Sequence, residues 1–243
     1  MNYFRYKSPV PATRAAAIIL FFTAAVLPAQ ISISNPAFPP GESITYIRTS
    51  DHGNEMVEVE MRLITPDKPQ AQQSARPYYE YRMQSESKDM LVKLDADTLE
   101  IFYSEVWLKN TYSTIHRINE IVEQNKPTGP GDLLICDGNG LEVRLRGFPW
   151  DRHNRAQLAF LNGSDKFKIE IKIDGRETLR LNNTAYECRK VQLSLDGFLG
   201  SFFPKSYFWY TVDKPHILVR AEVAEMMGED AHVLELVSYS ASH

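Results

Sequence analysis

The chain has 243 residues, of which 43% are hydrophobic and 24% are charged, with 27 basic and 31 acidic side chains. This apolar fraction can build a packed core, which excludes a disordered tail. The excess of acidic side chains excludes nucleic acid as an expected partner, because binding to phosphate backbones needs an excess of Lys and Arg.

Residues 1–29 have the pattern of a secretory signal peptide. Three basic side chains precede an apolar run from Ala15 to Leu27, and the small residue Ala29 marks the expected cleavage site. The run is short and alanine-rich for a helix that must cross ~30 Å of hydrocarbon, and an uncleaved membrane anchor is the alternative. We therefore expect residues 30–243 to be periplasmic or secreted, as a monomeric single β-rich domain without a transmembrane span.

Beyond residue 40 the dominant pattern is alternation of apolar and polar residues, which predicts strands with one buried and one wet face. The clearest runs are Met56–Leu63 and Phe167–Ile173. Further strands are predicted at Ser43–Thr49, Tyr78–Gln84, Met90–Leu94, Leu99–Tyr103, Leu141–Leu145, Glu177–Leu181, Tyr186–Leu195, Ser206–Thr211, Ile217–Ala224 and His232–Tyr239. The pattern indicates a mainly β, antiparallel fold.

Short motifs rich in Asp, Asn and Gly separate these runs and predict hairpin turns, since such residues adopt the positive φ angles of tight turns. They lie at residues 51–54, 137–140, 162–163 and 174–175. Helix is scarce. One short helix is predicted at Asp151–Phe160, where Asp151 would cap the first turn, and a single helical turn at Ile118–Val122.

No motif in the sequence assigns a catalytic, cofactor-binding or metal-binding residue. The six histidines do not have metal-ligand spacing, and the Gly-x-Ser-x-Gly motif of serine hydrolases is absent. We therefore expect a protein that is not an enzyme and that has no cofactor. A hydrolase is the weakest hypothesis and would depend on His153 with Asp151, or on His216.

The two cysteines, Cys136 and Cys188, leave two alternatives open. In an oxidising compartment they can form a disulfide, which would close a loop of about 50 residues and stabilise the fold by roughly 4 kcal/mol. Otherwise they are two separate buried thiols.

The segment Phe198–Tyr210 has seven aromatic residues among thirteen. On a strand, Tyr207 and Trp209 share one face and Phe208 and Tyr210 share the other, so both faces are aromatic. Either another element covers the second face, or that face lines a cavity for an apolar ligand. The candidate ligand-binding residues are Phe198, Phe202, Phe203, Tyr207 and Trp209.

Three stretches resemble the exported bacterial domain-of-unknown-function 3108 family: Pro40–Glu42 followed by a strand with Tyr46, the Asp97–Glu100 step, and Phe208–Arg220. That family is similar in architecture to the periplasmic lipoprotein carriers. The resemblance implies a strongly curved antiparallel sheet, a half-barrel around an apolar concavity, capped by helices. It implies no catalytic residue.

Together these observations predict an exported, non-enzymatic binding or carrier module for a hydrophobic ligand such as a lipid, an acyl chain or a lipidated partner. The alternative is a scaffold for protein interaction or envelope assembly, in which a strand edge or the aromatic segment binds a partner chain. The discriminating feature is whether the concave face is hollow or filled.

Overall fold

The structure, a computed structural model, describes residues 31–66, 76–109, 114–116, 133–135, 139–162, 165–197, 203–225 and 230–242. The predicted signal peptide and the helical turn predicted at Ile118–Val122 lie outside these residues, so both stay predictions.

The described residues form thirteen strands and one helix. The strands are β1 (Gly41–Ser50), β2 (Gly53–Ile64), β3 (Tyr78–Gln84), β4 (Lys88–Asp95), β5 (Ile101–Leu108), β6 (Thr114–His116), β7 (Leu133–Ile135), β8 (Arg155–Asn162), β9 (Asp165–Leu181), β10 (Thr184–Leu195), β11 (Ser206–Thr211), β12 (Leu218–Val223) and β13 (His232–Ser242); the helix is α1 (Leu141–Arg146).

All thirteen strands belong to one sheet, in the order β6-β5-β4-β3-β2-β1-β13-β12-β11-β10-β9-β8-β7. Most neighbours are consecutive in sequence and antiparallel, and β7 and β8 form the one parallel pair among the described strands. The first and last described strands in the sequence are neighbours in the middle of the sheet, where β1 pairs with β13 along its whole length. The prediction of a mainly β, antiparallel fold is confirmed.

The sheet curves strongly around α1. The hydroxyl of Tyr81 in β3 donates a hydrogen bond to Glu142 Oε1 at 2.6 Å, and the hydroxyl of Tyr210 in β11 donates to the backbone oxygen of Glu142 at 3.2 Å. Four strands separate β3 from β11 in the sheet. Both can reach one helical residue only if the sheet bends into a trough, with α1 on its inner face.

Alternation along the strands explains which side chains line this trough. In β2, Val57, Val59 and Met61 are buried, while the intervening glutamates Glu58 and Glu60 are exposed. The same period places Ile44 and Tyr46 of β1 on the inner face. The core therefore lies inside the trough, between the sheet and α1.

The prediction of a strand at Leu141–Leu145 is wrong, because this segment forms α1. Gly140 has a positive φ of 73°, and the amide of Arg144 donates to the Gly140 carbonyl at 3.1 Å, which closes the first turn. Leu141, Val143 and Leu145 are all buried. Because the trough surrounds α1 on several sides, an apolar residue at alternate positions suits this helix as well as it would suit a strand.

The helix predicted at Asp151–Phe160 is also wrong, since Arg155–Asn162 forms β8. Ala156 and Leu158 are buried and Gln157 is exposed, which is the period of a strand. The antiparallel pairing of β8 with β9 runs from Arg155 opposite Lys172 to Asn162 opposite Asp165, and the turn predicted at residues 162–163 reaches outside the described residues, so it stays a prediction.

The hairpin predicted at Asp174–Gly175 is wrong, because these residues lie inside β9, where the register with β10 shifts between Lys190 and Val191. The turn that joins the two strands is Asn182–Asn183, with φ angles of 48° and 65°. Asparagine tolerates this left-handed region better than most residues, so the pair provides a tight turn. The predicted turn at residues 51–54 is confirmed as the β1–β2 hairpin.

Within the described part of the chain, no helix has the length and apolarity that a membrane span requires.

Candidate functional site

A buried ion pair joins α1 to β1 at one end of the trough. The Arg146 guanidinium binds the Glu42 carboxylate through both of its terminal nitrogens, and the two side chains are 3% and 0% exposed. Arg146 Nε also donates to the Pro215 carbonyl at 3.1 Å, and the guanidinium lies 4.3 Å from the centre of the Phe38 ring. We call this the filled end of the trough.

Three tyrosines surround the first turn of α1. Burial strongly raises the pKa of Tyr46, Tyr81 and Tyr210, and the negative charge of Glu142 raises each further. Their hydroxyl groups therefore keep their protons and act as donors. Tyr46 donates to the Leu218 carbonyl at 3.2 Å, and the other two bind Glu142. The hydrogen bonds from Tyr81 and Tyr210 hold the first turn of α1 in the middle of the trough.

Beyond Glu142 the described residues leave the trough open, as a cavity of about 830 Å³. We call this half the open end, bounded by the β1–β2 and β3–β4 turns. Its floor includes Glu142. Its walls are inward side chains of the sheet, mostly apolar, and include Tyr46, Val57, Met83, Met90, Phe208 and Leu234. Among the described residues, the concave face is thus filled by α1 at one end and left open at the other.

The rim of this cavity is polar and cross-linked. Arg48 Nη1 binds Glu55 Oε1 at 2.9 Å, and the Ser87 hydroxyl donates to the same carboxylate at 3.0 Å. Burial alone would raise the pKa of Glu55, but the hydrogen bonds from Arg48 and Ser87 lower it below its ordinary value. Opposite them, His52 Nε2 lies 3.2 Å from Asp230 Oδ2. These contacts tie three turns together around an apolar interior.

On the outer face, Tyr207 and Trp209 lie together, with ring centroids 6.2 Å apart. Lys190 lies over both rings, at 4.6 Å from the Tyr207 centroid and 5.1 Å from that of Trp209, and the Arg220 guanidinium lies 5.7 Å from Trp209. Cations at these distances from aromatic rings are favourable contacts. Neither aromatic residue lines the cavity, because their strand neighbours Phe208 and Tyr210 take the inner face.

The element that covers Trp209 is the β9–β10 hairpin. Trp209 Nε1 donates to Glu177 of β9, and Trp209 packs with Cys188 and Val219 in an outer cluster that Leu179 and Tyr186 flank. At the tip of the hairpin, Asn182 Nδ2 donates to the Leu236 and Val237 carbonyls of β13, both at 3.3 Å. Both faces of β11 are therefore buried, one by the trough and one by a β-hairpin.

The five candidate ligand-binding residues thus fall into different surroundings. Phe198 and Phe202 lie outside the described residues, and Phe203 is 49% exposed. Tyr207 and Trp209 belong to the outer cluster. Among the described residues of this segment, Phe208 lines the cavity, on the opposite face of the strand from Trp209. Alternation separated the two faces correctly, but only the position of α1 shows which face is the inner one.

Cys188 is fully buried and has no disulfide partner within the described part of the chain, with Sγ 3.5 Å from the Tyr186 carbonyl. Burial raises the pKa of this thiol to about 12. Cys136 lies outside the described residues, so the disulfide between them stays a prediction.

The side chains on which a hydrolase activity would depend make contacts that stabilise the fold. Asp151 accepts a hydrogen bond from Arg189 at 2.5 Å, and the His153 ring packs edge-on against Phe148. His216 Nδ1 lies 3.0 Å from the Thr211 carbonyl, and burial lowers the pKa of this imidazole. Among the described residues, no group of three or more His, Cys, Asp or Glu side chains is placed to hold a metal ion.

In the described part of the chain, these features define the class of the protein: a single curved, mainly antiparallel sheet, partly filled by one helix, with a cavity of apolar walls and polar rim in its open half. No protein-family model matches the chain, and no curated protein matches it. The resemblance to the domain-of-unknown-function 3108 family therefore stays a prediction.

The solved structures that are similar to this chain include the following two. A DUF1329 family protein from Desulfovibrio piger has 9% sequence identity over 85% of this chain and 87% of that chain, with a TM-score of 0.29. A beta-barrel-like protein of domain of unknown function DUF1849 from Brucella abortus has 8% identity over 85% of this chain and 99% of that chain, with a TM-score of 0.35. Likenesses this distant carry no conclusion about function.

Proposed function

We propose that this protein is an exported binding or carrier module that holds a hydrophobic ligand in the open end of the trough. The candidate ligands are a lipid, an acyl chain and a lipidated partner. The single observation that carries the proposal is the cavity of about 830 Å³ beside Glu142. This volume is in the range of small-molecule sites, and the cavity has apolar inner walls, which include Val57, Met83 and Phe208, below a polar rim.

The free energy for binding comes from burial. Each methylene group transferred from water to apolar surroundings contributes about 0.8 kcal/mol. The apolar walls of the cavity supply such surroundings. The hydrogen bonds at the rim hold the strands that form these walls in place when no ligand is bound. Because the walls belong to paired strands, the site is largely preformed, which lowers the cost of ordering on binding.

The experiment that tests this proposal is native mass spectrometry of the chain expressed with its predicted signal peptide and purified from the periplasm. We expect a polypeptide that begins at Gln30, together with a bound ligand that organic extraction releases. Delipidated protein should then bind a fluorescent alkyl probe. A bare polypeptide that also fails to bind the probe would contradict the proposal.

Filling the cavity should abolish this binding. Met83 is half-buried and lines the cavity, so in Met83→Trp the larger side chain should occupy the hollow and weaken probe binding by about tenfold or more. The matched control is Gln84→Trp, which adds an indole to the exposed face of the same strand. Probe titration of both variants checks the prediction, and equal affinities would refute it.

The alternative is a scaffold for protein interaction or envelope assembly. The observation in its favour is the exposed pair Trp107 and Leu108 at the end of β5, 37% and 46% exposed, since Leu108 also borders the cavity. In the experiments above, a scaffold would purify without ligand, and cross-linking in the periplasm would capture one reproducible protein partner.

A further inference from the structure

Two methionines lie side by side in the wall of the cavity. Met83 of β3 and Met90 of β4 both line it, and they are direct cross-strand partners. Partners of this kind have Cβ atoms about 5 Å apart on one face of a sheet. On its other side, Met83 is paired with Val59 of β2, which is buried in the core. The inner wall therefore presents two thioether side chains among apolar neighbours.

Solvent reaches the four methionines of the described residues to different extents. Met61 and Met90 are buried, and Met83 is half-buried. Met56 is 45% exposed and lies on the outer face, because its strand neighbour Val57 lines the cavity. Since paired strands flank Met83 on both sides, its accessible part faces the cavity, and a small solute that enters the cavity reaches it.

Peroxides convert a methionine thioether to a sulfoxide. The sulfur lone pair attacks one oxygen of hydrogen peroxide, so an S–O bond forms as the O–O bond breaks. The departing hydroxide takes the proton of the transferred hydroxyl group, which gives one water and a neutral sulfoxide. The sulfur loses two electrons and the peroxide gains them. Within the protein this step requires only an accessible sulfur, which Met83 provides.

A sulfoxide at Met83 would change the character of the wall. Oxidation turns a flexible apolar side chain into a polar one. The side chains of its cross-strand partners, Val59 and Met90, carry no hydrogen-bond donor for the new oxygen. An alkyl chain packed over this oxygen would remove it from water without a replacement hydrogen bond, which opposes binding.

We infer that Met83 is a modification site that controls the cavity: a peroxide oxidises it while the cavity holds no ligand, and the sulfoxide then lowers the affinity for an apolar ligand. This inference rests on the proposed function, because it concerns the regulation of the same cavity. A bound ligand covers the sulfur and protects it. Ligand binding and oxidation therefore oppose each other at this residue.

The test treats the delipidated chain with hydrogen peroxide, locates the sulfoxides by peptide mass spectrometry and titrates a neutral fluorescent alkyl probe before and after treatment. We expect Met83 to be oxidised after Met56 and before Met61, and the probe affinity to fall about tenfold or more as the Met83 sulfoxide accumulates. With dodecanol present at about ten times its Kd, oxidation of Met83 should slow about tenfold while that of Met56 keeps its rate.

Three outcomes would overturn the inference and leave the proposed function intact. They are an unreacted Met83 when Met56 is fully oxidised, a Met83 sulfoxide with unchanged probe affinity, and an equal rate of Met83 oxidation with and without dodecanol. Failure of the untreated chain to bind the probe would instead refute the proposed function.

The variant that assigns the effect to one sulfur is Met83→Leu, since leucine has a similar volume and cannot form a sulfoxide. Each protein is compared with its own affinity before treatment. We expect peroxide to change the probe affinity of Met83→Leu by about twofold or less, whereas the control Met56→Leu should lose as much affinity as the unsubstituted chain. An equal loss in Met83→Leu would overturn the inference.

Discussion

Replacing Arg146 by methionine is expected to lower the free energy of unfolding by about 3–5 kcal/mol, the usual loss when one partner of a buried ion pair is removed. The Glu42 side chain is fully buried, and Arg146 binds it with two nitrogens. Burial alone would lower the pKa of Arg146, but Glu42 raises it above its ordinary value, so the guanidinium keeps its charge. Arg146→Met would leave the carboxylate in an apolar interior without its cation. Urea unfolding followed by circular dichroism measures the loss.

The control for this prediction is the double variant Glu42→Leu with Arg146→Met. Removing both charged groups and keeping the volume is often neutral or stabilising, so the double variant should recover most of the loss. A double variant no more stable than Arg146→Met would show that the cost comes from packing rather than from the uncompensated charge.

Replacing Trp209 by alanine is expected to lower the free energy of unfolding by about 3–5 kcal/mol, as is typical for a buried tryptophan. The side chain is 4% exposed and joins β11 to the β9–β10 hairpin through Glu177 and the outer cluster. Because Trp209 lies on the outer face, the folded fraction should still bind the alkyl probe. Urea unfolding and probe titration at low temperature check both parts.

The matched variant is Phe208→Ala, one residue earlier on the inner face. Phe208 lines the cavity, so its removal should change probe affinity as well as stability. If Trp209→Ala lost probe binding at unchanged stability while Phe208→Ala kept it, the assignment of inner and outer faces would be wrong.

Strands were the part of the fold that the sequence predicted best. The limits of β3 and β11 were predicted correctly, and those of β1, β2 and β13 were predicted to within a few residues. Each of these strands pairs with strands next to it in the sequence, apart from the pairing of β1 with β13. One face of each strand is therefore buried, and the alternation of apolar and polar residues shows which face it is.

The helix was predicted in the wrong place because its surroundings are not local. The segment Leu141–Arg146 has the alternation of a strand, and it is helical because the curved sheet encloses it on several sides. The hairpin at Asn182–Asn183 was missed for a related reason: Asp174–Gly175 has the stronger turn signal, but strand pairing with β10 continues through it. In both places tertiary pairing overrode the local preference.

The candidate site was predictable in its chemistry and not in its geometry. The aromatic segment around Trp209 is evident in the sequence, and alternation divides it into two faces. Which face meets the cavity depends on the side of the sheet where α1 packs, and no residue of β11 encodes that. Glu142 had no sequence signal as a site residue, since it becomes a cavity floor only when Tyr81 and Tyr210 converge on it.

The sequence alone therefore determined the fold class and most strand limits, because burial of alternate side chains is a property of each short segment. It also predicts the export signal. Only the tertiary structure decided the curvature of the sheet, the position of the helix within it and the cavity that remains. Those features arise from contacts between residues far apart in the chain, such as Arg146 with Glu42, whose partners cannot be identified from either segment by itself.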